Sequence, residues 1–443
     1  TRIIINSQYT QRYTLLEIIF GIFLKFIGND VKGLVCAGYD YCEQAKTYQT
    51  KPNCNDCRKK TFKIFRAAKI DAIDLANHKD EVLKNVISFN NFDFEKIKFS
   101  KDDQTGYPIG ETFYWNWLHY SNGFLIPNSD IETKKILYKI YITTVGSFYT
   151  LKKSIEEYNP DLAITCNGKF SQTRPVFFLK NFYNYTCMTW EHFANPDDFV
   201  WIKHKCAVDQ IISNYWNSIK EKKLTNEQSS EIKNDFAIHK TGKKLKWDFL
   251  KNIDLESKDD IFEKLQLDVS KPIISLYLNT SWDSACLSHG LENLNFYETA
   301  DFIIKNAHSY DNLQFVIRAH PAEINLPDFL KVSVSINEVL RNINKSIPKN
   351  VTLIDANSSI SSYKLCSISD EALFFSSTLG LEMLYQKKRV TTLGGRCYYS
   401  NKGFTHDIMT KNELLDFFNN TDKDFRINGK RGQMKDLTVK EKE

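Results

Sequence analysis

The run Glu371–Arg389, EALFFSSTLGLEMLYQKKR, decides how this chain is read. A short apolar strand, Ala372–Phe375, stops at Ser376-Ser377-Thr378. A helical pattern follows, with Leu379, Met383 and Leu384 on one side and Lys387, Lys388 and Arg389 in its last turn. A second short strand, Val390–Leu393, then runs into Gly394-Gly395. Strand, hydroxyl-rich turn, helix and strand make a βαβ unit, which predicts a parallel sheet. The first turn of such a helix leaves N–H groups unpaired at the positive end of the helix dipole, so it receives anions. Ser376, Ser377 and Thr378 add hydroxyls, and Gly380 is expected to let a ligand approach the backbone. Taken alone, Ser377 or Thr378 is no more than a helix cap; the case for a site comes from the strands around it.

Working outward, Pro272–Asn279 is a strand ending in Thr280-Ser281-Trp282-Asp283, and Gln314–Ile317 a strand ending in Arg318-Ala319-His320-Pro321-Ala322-Glu323. Val351–Ile354 is a third, leading to Asp355. Helical patterns separate them, so residues 271–443 read as one doubly wound domain with polar residues at its strand ends, where open α/β sheets bind ligands. A cation, an imidazole, carboxylates, hydroxyls and a helix N-terminus suit a ligand carrying phosphate and sugar hydroxyls. Each has a plain alternative: Arg318 as an ion-pair partner, His320 as a cap before Pro321, Glu382 as a solvated helix charge.

The first half has the same grammar. Arg2–Asn6, Val31–Cys36, Pro160–Cys166 and Tyr185–Thr189 are strands, with helices at Leu15–Ile27 and Thr133–Glu157. The strand PDLAITC ends in Asn167-Gly168-Lys169 and the next in Trp190-Glu191-His192. Residues 1–220 therefore predict a second doubly wound domain, and the charged, apolar-poor stretch 221–270 the connection between the two. Two such domains facing across a cleft would make the cleft the ligand site.

Composition sets limits. At 443 residues with 42% apolar content the chain exceeds one ordinary core. Its 59 basic and 54 acidic residues nearly balance, which argues against a nucleic-acid binder and leaves at most peripheral attraction to an anionic membrane surface. Leu15–Ile27 is apolar but too short to span a bilayer, and Glu17 and Lys25 interrupt it. The N-terminus carries no signal-peptide pattern, and ten cysteines without one predict reduced thiols in a cytosol. Cys36, Cys42, Cys54 and Cys57, spaced C-x5-C-x11-C-x2-C, offer a ligand set for structural zinc; the loose first spacing and the basic loop favour unligated thiols instead.

The pair RAHPAE at 318–323 and FFSSTLGLE at 374–382 resembles the HP and SS motifs of GT-B glycosyltransferases that use CMP-sugars, the bacterial sialyltransferases and the capsule or lipopolysaccharide Kdo transferases. CNGKF…TWEHF is similar to an "NGR…E" pattern of the same enzymes, with Lys169 in place of Arg. The resemblance implies a GT-B fold in which His320, Pro321 and the Ser376-Ser377 turn hold the nucleotide phosphate, Arg318 and Glu323 stand nearby, and Ser281 and Asp355 line the base and ribose. It implies catalysis without a metal, a CMP-sugar donor and a glycan acceptor, in the cytoplasm or at the inner face of the membrane. Asn167, Gly168 and Lys169 fall to donor or acceptor sugar. A carboxylate on the facing domain must act as base or nucleophile, with Glu191 the first candidate, Asp283 the second, and Asp102 or Asp103 outsiders. Because CDP-glycerol phosphotransferases carry a similar motif pair, a CDP-linked polyol phosphotransferase, a UDP- or GDP-sugar transferase and a non-catalytic nucleotide- or glycan-binding protein remain as alternatives.

Overall fold

The computed structural model describes residues 1–7, 12–39, 41, 54–84, 86–121, 130–192, 199–209, 212–240, 257–280, 283, 291–292, 294–324 and 334–428. Ser281 and Cys42 lie outside them. The contacts of the chain divide it into two units that part near residue 210.

The first unit is built on β1 (Arg2–Ile5), β2 (Asp30–Val35), β3 (Asp71–Asp74), β4 (Leu162–Cys166), β5 (Thr186–His192) and β6 (Phe199–Lys203). Their order is β3-β2-β1-β4-β5-β6, parallel except for β6, which runs antiparallel to β5. The three isoleucines of β1 are fully buried, each stabilising by about 1.5–3 kcal/mol. Ile3 and Ile5 pack with Ile18, Phe65 and Trp190 in one cluster.

The second unit is built on β7 (Ile273–Tyr277), β8 (Gln314–Arg318), β9 (Val351–Ile354), β10 (Glu371–Phe374), β11 (Thr391–Leu393) and β12 (His406–Ile408). All are parallel, in the order β12-β11-β10-β7-β8-β9. Every residue of β7 and β8 is buried, as befits strands covered on both faces. Tyr277 stacks on Phe374 at 4.9 Å between ring centres, at the heart of a cluster with Leu379, Met383 and Val390.

Both sheets follow the doubly wound order 3-2-1-4-5-6, so the protein is α/β with two Rossmann-like units, the domain composition of GT-B enzymes. In each, the strand order reverses between the first and fourth strands, β1 and β4 or β7 and β10, and there the crossovers diverge to opposite faces and open a crevice.

Three strands escape a reading by apolar runs. β3 is the acidic DAID, while β6 and β12 are edge strands. The charged stretch after residue 220 also differs from a linker. Phe236 stacks on Tyr385 at 4.0 Å, and the helix Lys258–Leu265, opened by a reciprocal Ser257–Asp260 cap, buries Ile261 in the second unit's core. Sparse but well-placed apolar residues suffice to fix helices whose other faces are solvated.

Candidate functional site

The register of the second sheet aligns four strand ends. Phe374 lies opposite Tyr277, Tyr277 opposite Arg318, and Arg318 opposite Ile354. Two residues beyond this row stand Ser376, Asn279 and His320. Only β7 separates β10 from β8, so the Ser376 turn and His320 emerge about 10 Å apart, the span of a phosphate with its sugar.

At the reversal point itself, Asn279 donates through Nδ2 to Ser376 Oγ at 3.1 Å. Asn279 is 8% exposed, and its Oδ1 is buried without a hydrogen-bond partner among the described residues. Ser377 Oγ accepts from the Leu379 N–H at 3.3 Å and caps the helix Thr378–Tyr385, while Thr378 is exposed. The Ser377 carbonyl in turn accepts from the Tyr399 hydroxyl at 2.8 Å. That tyrosine explains Gly380: a Cβ there would overlap the Tyr399 hydroxyl, so the glycine makes room for protein and not for a ligand.

On the β8 side, His320 Nδ1 accepts from the Ala322 N–H at 3.0 Å, capping the turn Pro321–Glu323. This leaves the neutral ring's proton on Nε2 as a donor. The ring is partly exposed by area yet enclosed; burial, and then the Arg318 charge, hold its pKa down at about 4. Arg318 is 3% exposed, donates from Nη1 to the Asp355 carbonyl, and keeps a buried Nε without a partner among the described residues. Burial lowers its pKa to about 10, so it remains a cation at neutral pH.

The carboxylates around this row are largely occupied. Glu323 is fully buried and accepts the Ile336 N–H at 3.4 Å on both oxygens; burial and the Asp355 charge raise its pKa to about 8, so it is neutral at pH 7. Glu323, which the resemblance implies stands near the nucleotide phosphate, is a neutral acid anchoring the start of the helix Ile336–Ile343. Asp355 accepts from Asn337 at 3.0 Å and from Arg341 at 3.0 and 3.2 Å. Asp283, whose N–H reaches the Thr280 carbonyl at 3.2 Å, belongs to this second unit, so it does not supply a carboxylate from the other one.

In the first unit, β4 and β5 also end level, with Cys166 opposite Trp190. One residue further, Asn167 Nδ2 donates to Glu191 Oε2 at 3.0 Å, and the His192 N–H reaches Glu191 Oε1 at 3.0 Å. Asn167 and Gly168 both take left-handed backbone, which turns the chain sharply out of β4. Lys169 departs from the expectation of a sugar contact. It is 1% exposed, with its ammonium paired to Asp209 at 2.5 Å and 5.7 Å from the Trp115 ring. Asp102 is likewise internal, accepting from Thr105 and from Tyr149 at 2.8 Å. His406 opens the edge strand β12, four strand positions across the sheet from β8, which His320 follows.

Cys36 follows β2, and Cys54 and Cys57 open the helix Cys54–Ala67 close enough to bear on Cys36 electrostatically. With Cys42 outside the described residues, no group of three or more His, Cys, Asp or Glu among them is arranged to hold a metal ion. Sequence reasoning missed Asn279, which reads as the last residue of a strand. The signal was there in the abrupt change from apolar to polar at that position.

No protein-family model and no curated protein matches the chain. Among solved structures it is similar to Thermosulfurimonas dismutans KpsC, beta Kdo 2,4 transferase, at 14% identity over 58% of this chain and 78% of that one, with a TM-score of 0.39. The beta Kdo 2,7 transferase of the same KpsC gives 15% identity, 59% and 74% coverage and a TM-score of 0.33. A UDP-GlcNAc 2-epimerase from Neisseria meningitidis covers 98% of this chain and 95% of its own at 10% identity, with a TM-score of 0.28. At these scores the likenesses decide neither donor nor reaction.

Proposed function

We propose that this chain is a nucleotide-sugar enzyme, a glycosyltransferase that moves a 3-deoxy-ulosonic acid of the Kdo or sialic type from its CMP donor to a surface glycan. The observation that carries the reading is the row of donors at the second unit's strand ends. The Asn279–Ser376 pair stands where the strand order reverses, and the His320 turn lies one strand away with Arg318 beneath it. Hydroxyls, an imidazole Nε2–H and a buried guanidinium together suit phosphate oxygens, and they would stabilise the charge on departing CMP. The HP–SS resemblance favours a cytidine nucleotide.

On this reading Glu191, oriented by Asn167, deprotonates the acceptor hydroxyl or attacks the sugar as nucleophile. A neutral His320 binds as a donor and not as a charge, leaving Arg318 as the fixed cation. Burial makes each of these interactions stronger than it would be in water.

The test is a thermal-shift series with CMP, CDP, UDP and GDP, followed by nucleotide release from CMP-Kdo, CMP-sialic acid and CDP-glycerol. Ligand that binds the native state raises the melting temperature. A shift with CMP and release from a CMP-sugar support the reading. A shift confined to UDP or GDP, or release only from CDP-glycerol, transfers the site to another donor class, and binding without turnover of any donor leaves a non-catalytic module.

A further inference from the structure

A helix laid on a sheet keeps its outer face polar, and the helix Arg12–Phe26 does not. Its inner face is accounted for. Ile18 is buried, Gly21 packs against Ile5 and Ile70, and Glu17 is buried with its oxygens taken by Ser7 and Trp190. Its outer face carries Leu15, Ile19, Ile22, Phe23 and Phe26 at helical spacing, and the turn after it adds Ile27. All six are exposed, from 44% for Ile22 to 87% for Phe26. Single exposed apolar residues are ordinary, but a contiguous stripe of this size marks a surface that something covers.

The rim of the stripe says what. Lys25, at the helix end, donates to the Lys69 carbonyl, and Lys63 and Arg66 are exposed on the helix Cys54–Ala67, which packs in the same cluster. On the other flank Phe20 meets Trp201 at 5.1 Å, and exposed Lys203 and Lys205 follow in the chain. Asp30, Asp56 and Asp71 offset part of this charge. Protein interfaces are depleted in lysine, whereas an aliphatic and phenyl stripe between lysines is the pattern of a surface helix on anionic lipid. Among the described residues no helix is long and apolar enough to cross a membrane, so the contact is one of lying on the bilayer.

We infer that this face docks the first unit on an anionic lipid bilayer, with Phe23 and Phe26 entering the acyl boundary and the lysines meeting headgroup phosphates. The inference stands whatever the donor. Its test is co-sedimentation of the full chain with phosphatidylcholine vesicles, with and without phosphatidylglycerol. The chain is expected to bind the phosphatidylglycerol vesicles and to lose binding as salt rises. The double variant Phe23→Ser/Phe26→Ser should bind about tenfold or more weaker with an unchanged melting temperature, and Lys203→Glu/Lys205→Glu should lose the preference for phosphatidylglycerol. Wild-type protein that fails to sediment with the vesicles, or a serine variant that binds as well as wild type, overturns it. So does a solution dimer that the serine variant dissolves while wild type ignores vesicles, because the face then covers a second copy.

Discussion

Asn279 and Ser376, 97 residues apart in sequence, are joined by a 3.1 Å hydrogen bond at the point where the second sheet's strand order reverses. The bond orients the serine hydroxyl, and among the described residues the asparagine's buried Oδ1 has no hydrogen-bond partner. Leaving such an acceptor unmade costs on the order of 1–3 kcal/mol, which a ligand donor would recover. Asn279→Ala is therefore expected to weaken CMP binding about tenfold by calorimetry while changing folding stability by less than about 1 kcal/mol. Equal affinity in the variant would remove the pair from the site.

His320 combines two tasks, a cap through Nδ1 and a donor through Nε2. His320→Asn retains an acceptor for the Ala322 N–H but loses the Nε2 donor, so its melting temperature should hold while CMP affinity drops about tenfold. Because the folded pKa of about 4 lies below the ordinary 6.5, the ring costs stability as pH falls from 6.5 toward 4, and the variant is spared that loss. Ring resonances that titrate near 6.5 in the folded protein would contradict the enclosed environment.

Glu323 has the opposite sign. A carboxyl held at about 8 when folded and near 4.5 when unfolded stabilises fully below 4.5 and progressively less as pH rises to 8. Glu323→Gln keeps a carbonyl oxygen for Ile336 and cannot ionise. It should gain on the order of 5 kcal/mol over wild type at pH 9 and nothing at pH 4, read from urea midpoints at the two pH values.

For Glu191 the expected loss is in turnover. Glu191→Gln should reduce transfer by about a thousandfold or more with CMP affinity within twofold, and Asn167→Ala by about tenfold, because it only orients the carboxylate. If Glu191→Ala and Asp283→Ala both transfer at the wild-type rate, catalysis lies elsewhere.

Gly380→Ala sets a methyl against Tyr399 and should destabilise by about 1–3 kcal/mol. Tyr399→Phe in the same chain removes the nearest atom and should restore part of it, at the expense of the bond to the Ser377 carbonyl. A thermal melt of the two single variants and the double decides; additive losses would mean that the two residues do not meet.

Periodicity and residue type carried the sequence reading a long way. Buried parallel strands are continuous apolar runs, so LAITC, IISLY and QFVIR stand out, and each ends where a polar residue cannot continue into a dry core. That is why Arg318, His320, Ser376 and Glu191 could be picked by eye. Edge strands such as β3 and β12 are half-solvated and lack that contrast, and the helices Asn226–Lys240 and Lys258–Leu265 hid their packing behind charge.

What residue order alone determined is the alternation of strands and helices and the polar punctuation at their ends, because both follow from local spacing. Only tertiary structure decided which of those polar groups are taken up by partners inside the protein. Lys169 is spent on Asp209, Glu323 is neutralised by burial, Gly380 yields its space to Tyr399, and Asn279 emerges beside Ser376. Each of these depends on a partner between 13 and 97 residues away or on exclusion from water, and neither is written in the neighbouring sequence.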